Sequence, residues 1–110
     1  MKFPTDQSHE ACLAAVQENS LAIIWVKEQT EEICLAAVQR FGYALEYVRE
    51  QTPKICLAAV RQNGWALECV KEQTEAICLV ACLRQREVIR CIKDPEMKAR
   101  IEMMMVKGGE

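Results

Sequence analysis

A tandem repeat with a period of 22 residues is the feature that most limits how this chain can fold. Ile33–Val38 and Ile55–Val60 share the sequence ICLAAV, and close variants occur at 11–16 and 77–82. The following phrase also recurs, since YALEYV at 43–48 matches WALECV at 65–70. No gap is needed between residues 11 and 94. Four copies of one small structural unit are therefore expected.

Each unit is predicted to contain two short helices. A Thr or Ser stands before each apolar run, where its hydroxyl can cap free backbone N–H groups: Ser8, Thr30, Thr52 and Thr74. The first helices are predicted over 9–19, 31–41, 53–63 and 75–85. Gly42 and Gly64 follow two of them and are predicted to end the helix in the left-handed conformation. The second helices are predicted over about 43–50 and 65–72.

Stacking of the units is required by their size and polarity. The first helix of each unit is apolar almost all round, which predicts burial on several sides. The second has about eight residues and is too short to be stable alone in water. We therefore predict an all-α fold, a short right-handed α-solenoid of helix-turn-helix repeats, in one domain over 1–110. The units are expected at about 9–30, 31–52, 53–74 and 75–94.

The end of the chain departs from the repeat. Arg86 occupies the position of the two glycines, so 75–93 is predicted to form one bent helix. Asp94, Pro95 and Glu96 form a strong helix start. They predict a helix over 95–107 that caps the open end of the stack. Its apolar face is expected to contain Met97, Ile101, Met104 and Met105, and the same Met-rich face could alternatively form a homodimer.

Seven cysteines are present, and we interpret them as free core thiols. Cys12, Cys34, Cys56 and Cys78 recur at one position of the unit, where neighbouring helices would lie too far apart for disulfides. Others replace apolar residues, as buried thiols do. No Cys-x-x-Cys pair occurs, and there is one histidine. We expect no metal, no cofactor and, because reduced thiols indicate a reducing compartment, a cytoplasmic location.

Composition excludes several function classes. The sequence contains no convincing catalytic set and no phosphate-binding glycine loop, so we expect no enzyme activity and no catalytic residues. No apolar run reaches the ~18–20 residues of a membrane span. The net charge of −2 makes direct nucleic-acid binding improbable. Charge is uneven, because residues 1–80 have 7 Lys and Arg against 11 Asp and Glu, whereas residues 81–110 have 7 against 5.

Positions that differ between units are the candidates for partner binding. Positions that pack must repeat, whereas outward positions are free to diverge. Aromatic and arginine side chains are also the most favoured residues in protein interfaces. On these grounds we select nine candidate partner-binding residues: Ile24, Arg40, Tyr43, Arg61, Trp65, Leu83, Arg84, Arg86 and Arg90.

The segment LAAVRQNGWAL at 57–67 resembles short helical repeats of about 22 residues that occur in tandem in bacterial proteins of unassigned function. The resemblance extends over about 11–94, and the fourth unit lacks the Asn-Gly step. The resemblance implies no activity, cofactor or catalytic residue. Because such repeats occur in bacteria and their mobile elements, it is compatible with a phage- or host-directed binder.

Two functions are consistent with the sequence. The first is a non-enzymatic protein-interaction module that binds a partner through its variable outer face. The alternative is a small phage- or host-directed inhibitor that blocks a nucleic-acid-handling complex, sterically or by presenting an acidic surface that mimics a phosphate backbone.

Overall fold

A computed structural model describes residues 6–108, and they form a linear stack of helices. Each unit consists of one α-helix followed by one short 3₁₀ helix. The α-helices are α1 (His9–Glu18), α2 (Glu31–Arg40), α3 (Pro53–Gln62), α4 (Glu75–Arg84) and α5 (Pro95–Gly108). The 3₁₀ helices are η1 (Ser20–Trp25), η2 (Gly42–Tyr47), η3 (Gly64–Cys69) and η4 (Arg86–Cys91). Residues 6–108 contain no strand, so the all-α prediction is confirmed.

The predicted N-caps are all present. The Thr52 hydroxyl accepts a hydrogen bond from the backbone N–H of Ile55 at 3.3 Å, and Thr30 and Thr74 make the same contact in their units. Ser8 accepts from the N–H of Ala11 at 3.2 Å. These hydroxyls satisfy N–H groups that the first turn of a helix leaves free. The repeat of the capping residue therefore fixes where each α-helix begins.

The α-helices end differently from the prediction. The residue after each of α1 to α4 has an extended backbone, with φ between −144° and −153° and ψ between 101° and 112°. Its N–H still bonds to the α-helix, and the chain then turns directly into the 3₁₀ helix. No described residue has positive φ. The expectation that Gly42 and Gly64 adopt the left-handed conformation is therefore wrong.

Close packing explains the two glycines instead. A Cβ atom on Gly42 would lie 2.7 Å from the backbone oxygen of Ala59, and one on Gly64 would lie 2.6 Å from that of Ala81. Both distances are well below van der Waals contact. Each glycine thus allows the α-helix of the next unit to approach the backbone of its own unit.

The fourth unit keeps its turn, so the prediction of one bent helix over 75–93 is wrong. Gln85 is extended (φ −144°), and η4 follows it as in the other units. The turn depends on this extended residue and needs no glycine. Arg86 is exposed at the position where Gly42 and Gly64 are buried. The prediction failed because it treated glycine as the signal that ends the helix.

The stack is elongated, with principal extents of 51 × 21 × 18 Å. Its radius of gyration is 15.3 Å, whereas a compact domain of this length would have about 13 Å. One continuous core follows the long axis, built from equivalent positions such as Val38 and Leu45 of the second unit, which are fully buried. The handedness of the superhelix stays a prediction.

Helix α5 covers the end of the stack, as predicted. Asp94 accepts a hydrogen bond from the N–H of Glu96 at 3.0 Å and so starts the helix. Ile101 is fully buried against α4 and η4, and Met97 and Met105 pack beside it. Met104, which was assigned to the same face, is 37% exposed. No helix in the described part of the chain is both long and apolar enough to cross a membrane.

A repeated glutamine joins each unit to the next. The side-chain amide of Gln51 donates to the carbonyl of Cys69 at 2.8 Å and to that of Leu45 at 3.2 Å, while its oxygen accepts from the N–H of Lys71 at 2.9 Å. Equivalent glutamines bind the same two positions of the following segment, 18 and 20 residues later. We name this set the glutamine ladder: Gln7, Gln29, Gln51 and Gln73.

Candidate functional site

Identical and variable positions separate sharply between core and surface. The repeated cysteines and the valine or isoleucine that ends each unit are almost completely buried, at 6% exposure or less. Of the nine candidate residues, seven are exposed and two, Tyr43 and Trp65, are half-buried. The scaffold is therefore constant inside and variable outside.

The candidates on the α-helices lie along one side of the stack. Arg61 and Gln39 come from neighbouring units and line the same shallow depression of about 280 Å³. Further along, the Nε of Arg84 donates to the backbone oxygen of Arg61 at 3.0 Å. Arg84 thereby satisfies a carbonyl at the C-terminal end of α3. Arg40 is exposed at the end of α2 and makes no side-chain hydrogen bond or ion pair within residues 6–108.

The candidates on the 3₁₀ helices form a second group. The guanidinium of Arg90 lies 5.9 Å from the centre of the Trp65 ring, in reach of a cation–π contact between the third and fourth units. The ring of Tyr43 lies 6.1 Å from that of Phe41. Burial, followed by the Glu68 carboxylate, raises the pKa of the Tyr43 hydroxyl. Ile24 is 44% exposed at the far end of the same layer.

Two exposed aromatic residues escaped the sequence selection. Trp25 is 45% exposed and Tyr47 is 39% exposed, although both were grouped with Cys69 and Cys91 as positions where cysteine replaces an apolar core residue. That column lies at the surface, since both cysteines are only half-buried. The variation of this position between units was the signal that could have identified it.

A groove lies between α4 and α5 and encloses about 380 Å³. Apolar side chains make up most of its lining, and two guanidinium groups complete it: Leu79, Cys82, Leu83, Met104, Met105, Arg84 and Arg86. The structure thus brings three of the nine candidates together in one concavity. Met104 and Met105 were interpreted as part of the cap, and their place in the groove could not be deduced from helical spacing alone.

Two columns of opposite charge run along the corners where units meet. Every unit ends with an exposed cation followed by an exposed acid: Lys27-Glu28, Arg49-Glu50, Lys71-Glu72 and Lys93-Asp94. Arg49 also donates to the backbone oxygens of Val26 and Lys27 in the preceding unit. The acidic residues therefore do not form a continuous anionic surface.

The recurring cysteines are buried free thiols, as predicted. The side chains at 12, 34, 56 and 78 are 3% exposed or less, and none of the seven forms a disulfide. Three of them donate weakly to the ladder glutamine of their own junction, at 3.7–4.0 Å. Burial raises the pKa of the Cys78 thiol to about 11. Such thiols are poor nucleophiles at neutral pH because little thiolate is present.

His9 makes a local contact between units. Its Nε2 lies 2.9 Å from a carboxylate oxygen of Glu32, and both side chains are largely exposed. Lys54 with Glu31 and Arg100 with Glu75 are further ion pairs between successive α-helices. Over residues 6–108, no three His, Cys, Asp or Glu side chains come together as metal ligands would.

Comparison with known proteins identifies one related family. Residues 30–73, which include the second and third units, are similar to a domain of unknown function, DUF4116. The match corresponds to two periods of 22 residues. No curated protein and no solved structure matches the chain. The comparison thus agrees with a repeat family of unknown function and assigns no activity.

Proposed function

We propose that this protein is a non-enzymatic interaction module that binds a partner protein through its variable outer face. The observation that supports this most directly is the separation described above, with a constant buried scaffold and divergent exposed positions. Helical-repeat stacks characteristically use such extended surfaces for binding. We further infer that the units are of the bacterial tandem type that the sequence resembles.

The chemistry of the variable face suits protein recognition. It combines arginine side chains, among them Arg40, Arg61 and Arg84, with half-buried aromatic rings such as Trp65. These residue types dominate the energetics of protein interfaces. Trp25 and Tyr47 extend the aromatic surface toward the first unit.

Charge reversal on the α-helical side tests this proposal. Arg40→Glu combined with Arg61→Glu changes two exposed side chains that take part in no side-chain hydrogen bond or ion pair in the described part of the chain. Lys27→Glu combined with Lys71→Glu is the matched control, because it makes the same charge change on the corner column. Circular dichroism establishes that both variants fold.

The readout is quantitative affinity capture from a native lysate. Binding proteins that the wild type and the control retain, and that the Arg40 and Arg61 variant loses, are expected. If both variants retain the same proteins, or lose them equally, the outer face is not where partners bind and the proposal is refuted.

A further inference from the structure

We propose that the groove between α4 and α5 binds a segment of a partner protein that combines large apolar side chains with acidic ones. The inference rests on the proposed function and specifies the chemistry of the partner at one site. The groove, as defined above, has an apolar lining and two arginines at its edge.

The apolar part of the groove indicates the first requirement. Leu83 is 69% exposed beside it, and Met104 is 37% exposed on the facing helix. Exposed aliphatic and thioether side chains on both walls of a concavity are typical of sites that receive apolar anchors from another molecule. A partner must therefore supply large apolar side chains.

The charge of the groove indicates the second requirement. Arg84 and Arg86 line it, and no carboxylate is present among its lining residues in the described part of the chain. Neither arginine forms an ion pair within residues 6–108. A guanidinium beside an apolar surface forms stronger contacts with a carboxylate than in open solvent, because water is partly excluded. An acidic group on the partner would complete the site.

The shape of the surface favours a peptide segment over a single small molecule. A second recess of about 160 Å³ shares Arg86 and Met105 with the groove and continues along α5 to Val106. Glu102 lines that second recess, so the positive charge is concentrated at the α4 end. Two adjoining apolar depressions match the spacing of successive anchors on one face of a helix.

Selection from a random peptide library displayed on phage tests the inference without assuming a sequence. The full-length protein is the bait, and parallel selections use Arg84→Glu combined with Arg86→Glu. Arg40→Glu combined with Arg61→Glu is the control, since it removes the same charge from the same side of the stack outside the groove.

Wild type and control should enrich sequences in which Asp or Glu flanks Leu, Ile, Phe or Met. Fluorescein-labelled copies of these peptides should bind the Arg84 and Arg86 variant about tenfold more weakly or worse. Addition of such a peptide should shift the methyl NMR signals of Met104 and Met105 and leave that of Met97 in place.

Three results would overturn the inference. Enriched peptides without acidic residues, or ones that bind the groove variant as tightly as wild type, would show that the arginines do not select the partner. Selection of nothing above background would show that the groove binds no peptide. A wild-type dimer in sedimentation velocity that the groove variant loses would show that a second copy occupies the site. In the first and third cases a partner could still bind elsewhere on the outer face, which the affinity capture above tests separately.

Discussion

Replacement of Gln51 by alanine removes one member of the glutamine ladder at the junction between the second and third units. Three hydrogen bonds are lost, to the carbonyls of Leu45 and Cys69 and from the N–H of Lys71. Two of these three cross the junction, and their backbone groups would need new partners. At about 1 kcal/mol for each bond, the free energy of unfolding should fall by about 2–3 kcal/mol.

The repeat supplies an internal comparison. Gln7 makes the same contacts at the first unit, where its loss would affect residues at the edge of the stack. Gln7→Ala should therefore cost less than Gln51→Ala, because local fraying at an edge does not separate two units. Glu50→Ala, at the exposed neighbouring position, should lie within about 0.5 kcal/mol of wild type.

Urea unfolding followed by far-UV circular dichroism measures these differences. Repeat stacks can unfold in parts, so the slope of the transition must be compared between variants before free energies are extracted. A change below about 0.5 kcal/mol for Gln51→Ala, or equal losses for Gln51 and Gln7, would refute the role assigned to the ladder.

Two further predictions concern the packing between units and the buried thiols. Gly64→Ala should lower the free energy of unfolding by about 1–3 kcal/mol through overlap with the Ala81 backbone oxygen, and Gly64→Asn, which a left-handed position would tolerate, should be worse. Equal stability of the Asn variant and wild type in thermal unfolding would contradict this. The raised pKa of Cys78 predicts stability that is present below about pH 9 and is lost as the pH rises through about 11. The difference in unfolding free energy between wild type and Cys78→Ala should thus shrink by about 2 kcal/mol between pH 8 and 11, and a constant difference would disprove it.

Periodicity was sufficient to predict the architecture. The recurring apolar phrase and its Thr caps determine where each α-helix starts, and residues such as Thr52 make the predicted contact. The helix ends were harder to predict, because an extended residue such as Gln85 has no distinctive sequence signal. The glycines were located correctly and explained wrongly, since their requirement arises from a neighbouring unit distant in sequence.

The candidate site shows the same division between local and non-local information. The variable positions could be selected by aligning the units, and most of them are exposed. The groove depends on how α5 packs against α4, which the repeat does not determine because α5 is not one of its copies. Gln51 and its equivalents were part of a recognised phrase, yet their role could be seen only once the carbonyl of the next unit was in place.

The glutamine ladder makes the length of this protein adjustable at defined places. Each junction uses the same bonds, so a 22-residue cassette inserted between Thr52 and Pro53 would find a complete set of partners on both sides. The position after Asp94 offers no such opportunity, because Pro95 stands where the next glutamine would be. Evolution or engineering can therefore lengthen the rod from within, whereas growth beyond the fourth copy would first require a new residue at that position.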